Sequence, residues 1–194
     1  MLARRVAEGS IPPLDDDLAA DLYLLACDLL AGAGYVHYEI SNWARGDVEE
    51  PGGVGASPTF SCRHNLTYWR NEPYLGFGAG AHSSLGGQRW WNVRSPAEYI
   101  ERLEKGRSPV AGSEEIDEPL AMGETMMLGL RLVREGVAFA AFVSRFDRSL
   151  LDVYGEEIAA LEEADLLERL PDRVRLTKRG WLLGNQVFGR FLPS

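Results

Sequence analysis

Cysteine is scarce in this chain of 194 residues, which holds only two. Cys27 and Cys62 lie far apart and form no C-x-x-C pair. They cannot supply the three or four thiolates of an iron–sulfur cluster or a structural zinc site. Cys27, inside an apolar segment, reads as a small buried residue, and Cys62 as a loop thiol. Long apolar runs are missing as well, so no transmembrane helix is expected. The start, MLARRVAEGSIPPLDDD, has basic residues but no apolar core, which argues against a secretory signal and for a cytoplasmic location. Positive charge is also short, with 20 basic against 29 acidic residues and a net charge of -9. That balance argues against a protein that tracks nucleic-acid phosphates. What is present, 45% hydrophobic and 25% charged residues, belongs to an ordinary globular protein. The length suits one large domain, or a medium and a small one, around a real core.

Asp15 to Ala33 reads as an amphipathic helix. Leu18, Leu22, Leu25 and Leu29 make one apolar stripe, the three aspartates 15–17 favour its start, and Gly32 and Gly34 offer its exit. Tyr35 to Ser41 follows as a strand, with Val36, Tyr38 and Ile40 on one face and His37, Glu39 and Ser41 on the other. A helix passing directly into a strand indicates an α/β layer. Residues 46–61, rich in glycine and proline, read as a surface loop, and Tyr74 to Ser84 as a second strand. Strands 35–44 and 74–84 are expected to be parallel neighbours whose C-terminal ends face a common opening. From Ser95 the pattern becomes mainly helical. Ser95-Pro96-Ala97-Glu98 is a capping box with proline at the first helical position. Further helices are expected at 117–135, 139–146 and 151–167. A short strand with Val174 and Leu176, a cap at Thr177 and a last helix holding Leu183, Val187 and Phe191 complete a winged-helix-like order. The expected boundary lies between 93 and 94.

The densest chemistry is Arg63-His64-Asn65-Leu66-Thr67-Tyr68-Trp69-Arg70. His64 offers a neutral imidazole nitrogen able to serve as an axial iron ligand. Tyr68 and Trp69 offer flat apolar surface, and Arg63 and Arg70 could pair with carboxylates. The same segment also reads as plain packing, with a hydrogen-bonded histidine among aromatics. Gly76-Phe77-Gly78-Ala79-Gly80-Ala81-His82-Ser83 matches no phosphate loop; its glycines read as a strand end too tight for side chains. Tyr38 to Ala44 forms a strand end with polar groups, the place where α/β folds bind ligands.

In order, YEISNWA, CRHNLTYWR, YLGFGAGAHS and RWWNV, with the terminal LTKRGWLLGNQVFGRFL, resemble the C-terminal half of HemW-type proteins, relatives of oxygen-independent coproporphyrinogen III oxidase. The resemblance covers nearly the whole chain apart from 46–61. It implies the C-terminal part of a partial (β/α) radical-SAM barrel at residues 1–93, with 46–61 as a loop insertion, and a small helical, winged-helix-like domain at 94–194. It implies haem as the ligand of His64, Asn65, Tyr68 and Trp69, with His64 on the iron, and an apoprotein that accepts the haem. It places S-adenosylmethionine against backbone near Ala44 and near His82. The family's [4Fe–4S] cluster sits on C-x-x-x-C-x-x-C cysteines that this chain does not carry, so no cluster and no S-adenosylmethionine cleavage are expected of it alone.

Two rival readings follow. One is a coproporphyrinogen III oxidase of porphyrin biosynthesis. The other is a nucleic-acid-binding winged helix using Arg169, Arg173, Arg175, Lys178 and Arg179, which the acidic chain as a whole disfavours.

Overall fold

The computed structural model describes residues 2–12, 15–46 and 57–193, so most of the expected 46–61 loop lies outside the described residues. After a short helix α1 (Leu2–Ala7), α2 spans Asp16–Gly32. The Asp15 carboxylate accepts the Leu18 N–H at 3.1 Å, and Gly34 leaves the helix at positive φ, the conformation that glycine adopts at least cost. The leucine stripe does not face a core. Leu18, Leu22, Leu25 and Leu29 are 53–65% exposed, and the half-covered face is the adjoining one, with Ala20, Tyr23 and Cys27. The helical period was readable in the sequence, but the direction of contact was not.

Strands β1 (Val36–Glu39) and β2 (Asn42–Ala44) form an antiparallel hairpin. Its turn is held by the Glu39 carboxylate, which accepts from the Ser41 N–H at 3.0 Å and from the Asn42 amide. This corrects the expectation of parallel neighbours at 35–44 and 74–84. Helix α3 (Arg63–Trp69) follows, then β3 (His82–Leu85) and β4 (Gln88–Asn92). Of the expected strand 74–84, residues 82–84 begin β3, and Tyr74 makes only an isolated antiparallel bridge to Ser84. The chain doubles back so closely there that a Cβ on Gly76 would collide with the His82 carbonyl. Gly86 and Gly87, both at positive φ, turn β3 into β4, as tight hairpins require.

Helix α4 (Pro96–Glu104) starts at Ser95, whose hydroxyl accepts the Glu98 N–H. Strand β5 (Val110–Glu115) then pairs antiparallel with β4, giving a three-stranded sheet in the order β3-β4-β5. The sheet therefore continues past residue 94. Helix α5 (Glu118–Gly129) begins at Asp117, which accepts the Leu120 N–H at 2.9 Å. It stops short of the expected 135, where Gly129 packs against Val137.

The remaining elements are β6 (Val137–Ala138), α6 (Phe139–Phe146), α7 (Leu150–Glu163), β7 (Leu167–Arg169), β8 (Arg173–Leu176), α8 (Lys178–Leu182) and α9 (Gly184–Phe188). Leu167, expected at a helix end, begins β7 instead. Thr177 caps α8 by accepting the Gly180 N–H at 3.0 Å. The expected single last helix is broken at Leu183, which leaves helical geometry. Strands β6, β8 and β7 make a second three-stranded antiparallel sheet in that order.

The main core lies in this C-terminal unit, where Met126, Leu130, Ile158, Val174 and Val187 are fully buried. A smaller core of Tyr38, Ala44, Leu66 and Leu132 joins the hairpin to α3. On the other side of the hairpin, His37 stacks on Trp43 at 4.6 Å and meets Trp181 of α8 edge-on at 4.9 Å. The Tyr23 hydroxyl donates to the Ile40 carbonyl at 2.8 Å. The hairpin is thus covered on both faces, as an α/β layer requires.

Burial lowers the His37 pKa, which favours its neutral form. Its contribution to stability is therefore complete above the unfolded value of about 6.5 and is lost as pH falls below it. Urea unfolding at pH 7 and pH 5 should show a smaller acid loss for His37→Gln than for the parent. Equal losses would mean that His37 does not titrate on unfolding in that range.

Candidate functional site

At 100° per residue, positions 64, 65, 68 and 69 of a helix fall on one face. Helix α3 therefore presents His64, Asn65, Tyr68 and Trp69 together, while Leu66 on the other side is buried against Tyr38, Ala44 and Leu132. Both ends of the helix are held. The Cys62 N–H donates to the Tyr38 hydroxyl at 3.3 Å. At the far end the Arg70 guanidinium grips Glu135 at 2.7 and 3.1 Å, and the Asn71 amide donates to the Thr125 hydroxyl at 3.2 Å.

The presented face lines a cleft of ≈ 640 Å³ that also includes Glu39 and Asn42 of the hairpin, Arg89 of β4, Glu124 and Met127 of α5, and Arg131 beyond it. That volume lies within the roughly 300–1,000 Å³ of small-molecule sites. His64 is exposed, and its ring meets Tyr68 edge-to-face at 4.8 Å. Tyr68 in turn meets Tyr74 at 4.6 Å, and Arg131 lies over the Trp69 ring at 4.4 Å. In the cleft wall, Arg89 donates to both oxygens of the nearly buried Glu124, at 2.6 and 2.7 Å, and to Glu114 at 2.8 Å.

Chemically the arrangement combines an accessible imidazole, aromatic walls and cationic groups, the set needed for a flat apolar ligand that carries acids and a metal. Neither Ala44 nor His82 lines this cleft. Ala44 is buried in the small core, and His82 is exposed on β3 with its ring 5.9 Å from Trp91. The arginines read from the sequence as carboxylate partners are also elsewhere. Arg70 is committed to Glu135, and Arg63 is exposed and faces a different cavity with Ser57 and Glu135. Glu39 comes from the strand end 38–44 that was read as a ligand-binding place, and Arg89 from the RWWNV stretch, to which no binding role was given; sequence reasoning missed Glu124 and Arg131, which lie in no motif. It did hold the signal for α3, since the i, i+1, i+4, i+5 spacing of the four motif residues is itself helical.

Comparison with known proteins shows the family. Residues 116–183 match the HemN C-terminal domain. The heme chaperone HemW of Mycobacterium tuberculosis is 40% identical over 187 residues, covering 96% of this chain and 42% of that protein. HemW of Bacillus subtilis is 36% identical over 182 residues, covering 94% of this chain and 44% of that protein. The chain therefore spans less than half the length of these relatives. Among solved structures, coproporphyrinogen III oxidase (HemN) from Escherichia coli, a radical SAM enzyme, overlays with a TM-score of 0.63 at 16% identity, covering 88% of this chain and 40% of that one. That likeness speaks for the fold alone. With identity of 36–40% along almost all of its length, this chain belongs to the HemW-type family of radical-SAM proteins related to HemN.

Proposed function

We propose that this chain forms the haem-handling part of a haem chaperone, taking haem in the α3 cleft for delivery to an apoprotein. The observation that carries this reading is that His64, Asn65, Tyr68 and Trp69 share one helix face on one cleft. Haem is the cargo here. His64 would hold its iron through a neutral ring nitrogen, and Tyr68 and Trp69 would cover its apolar face, with Asn65 beside them. Titration with haem should give a saturable Soret shift, and His64→Ala should weaken it about tenfold, roughly 1.4 kcal/mol. His37→Ala and His82→Ala should bind like the parent. Equal binding by all three variants would return the motif to a packing role.

The finer architecture belongs to the same proposal. The exposed leucine stripe of α2 fits a helix that packs against further elements of a (β/α) barrel. The order α5, β6, α6, α7, β7, β8 with the sheet order β6-β8-β7 supports a winged-helix-like unit. We place the junction near 115/116 rather than 93/94, because β5 completes the sheet of β4 and the HemN C-terminal match begins at 116.

S-adenosylmethionine would contact backbone near Ala44 and His82 in a complete barrel. The two cysteines, one half-buried on α2 and one exposed before α3, do not fit a [4Fe–4S] cluster. Against the nucleic-acid reading, Arg169, Arg173 and Arg175 are paired with Glu162, Asp172 and Glu168. No described helix is long and apolar enough to cross a membrane.

A further inference from the structure

We propose that Arg131 is the anion anchor of the α3 cleft, so that the cleft selects flat aromatic ligands bearing carboxylates. The proposal rests on the cleft being the ligand site and adds which chemical group of the ligand is read there. Two arginines line the cleft. Arg89 is committed, with Glu124 and Glu114 taking its guanidinium. Arg131 forms no ion pair and no side-chain hydrogen bond among the described residues, and its buried Nε has no partner. Buried donors in folded proteins are nearly always satisfied, so an orphan of this kind calls for a reason.

The guanidinium is nonetheless held in place. It lies 4.4 Å from the Trp69 ring centroid and 5.5 Å from that of Phe188, contacts that hold it without using its hydrogen bonds. A positioned, uncommitted guanidinium suits a carboxylate, which it can grip with two parallel N–H···O bonds. The other charges in the cleft leave this role to Arg131. Glu39 is tied to Ser41 and Asn42, Glu124 is neutralised by Arg89, and Glu72 is exposed. Spacing agrees as well. His64 and Trp69 are five residues apart on α3, about 7.5 Å of helix rise, comparable with half the width of a porphyrin. A ring centred near His64 would bring its acid edge toward the cation over Trp69.

The test uses a metal-free dicarboxylic porphyrin and its dimethyl ester, with binding followed by porphyrin fluorescence polarisation. The parent should bind the acid at least tenfold more tightly than the ester. R131Q should lose that preference, weakening the acid far more than the ester, R131K should keep part of it, and R63Q, outside the cleft, should behave like the parent. Equal binding of acid and ester by the parent overturns the proposal, and so does R131Q that binds the acid like the parent or weakens both probes equally. The acid-over-ester ratio of the parent decides even should a variant fold poorly. Because neither probe contains iron, failure of the haem reading is seen separately, as a Soret shift that does not depend on His64.

Discussion

Replacing Glu124 by alanine should lower the unfolding free energy by about 3 kcal/mol, since removing one partner strands the other charge in a site where water cannot fully replace it. Glu124 is 7% exposed, and both of its oxygens accept hydrogen bonds from the Arg89 guanidinium, at 2.6 and 2.7 Å. The pair ties α5 to β4, and through β4 to the sheet in which β5 is the last strand. Arg89 keeps Glu114 as a second partner, which limits the loss to the lower end of the range for broken buried pairs. Glu124→Gln, which keeps the shape and one acceptor, should lose about half as much. Urea unfolding monitored by tryptophan fluorescence measures both. A loss below about 1 kcal/mol for the alanine variant, the range of exposed pairs, would mean that water reaches the pair freely. The cleft should also lose definition, because Glu124 and Arg89 both line it.

Gly136→Ala should be equally damaging for a different reason. Gly136 has φ of 58°, where a side chain costs about 1–2 kcal/mol. An added Cβ would also collide with the Val174 carbonyl and stand 2.7 Å from the Arg175 Cβ, which adds about 1–3 kcal/mol of overpacking. The sum, about 3 kcal/mol, falls where β8 passes beside β6, so the second sheet should open first. Gly155→Ala is the control. Gly155 lies within α7 with open space around its would-be Cβ, and alanine there should raise stability by up to about 1 kcal/mol. Thermal unfolding of the two variants should move in opposite directions. A Gly136→Ala protein that melts with the parent would show that the 136 turn can shift at little cost.

Local signals account for much of the fold. The caps at Asp15, Ser95, Asp117 and Thr177 act through side chains of their own neighbourhood, and a cap needs only three or four residues of sequence to be read. Helix α6 lies at 139–146 as its pattern indicates. The same local reading went wrong where distant contacts decide. The α2 leucines have the right period, yet Tyr23 makes the contact, because His37 and the Ile40 carbonyl lie on that side. Residues 35–44 turn back as a hairpin because the Glu39 carboxylate caps the turn, a bond that hydrophobic alternation does not encode.

The candidate site divides in the same way. His64, Asn65, Tyr68 and Trp69 come from one short segment whose spacing already sets them on a single helix face, so their grouping was determined by sequence alone, as were the scarcity of cysteine and the acidic balance. Only the tertiary structure decided what stands opposite them. Arg70, adjacent to the motif, is drawn away by Glu135, whereas Arg131, sixty-two positions beyond Trp69, is laid over its ring. Side-chain spacing within a helix is fixed by backbone geometry over a few residues, but the choice of which arginine reaches the cleft depends on packing between α3 and α5. That packing is set by contacts remote in sequence, such as the Asn71 amide on the Thr125 hydroxyl.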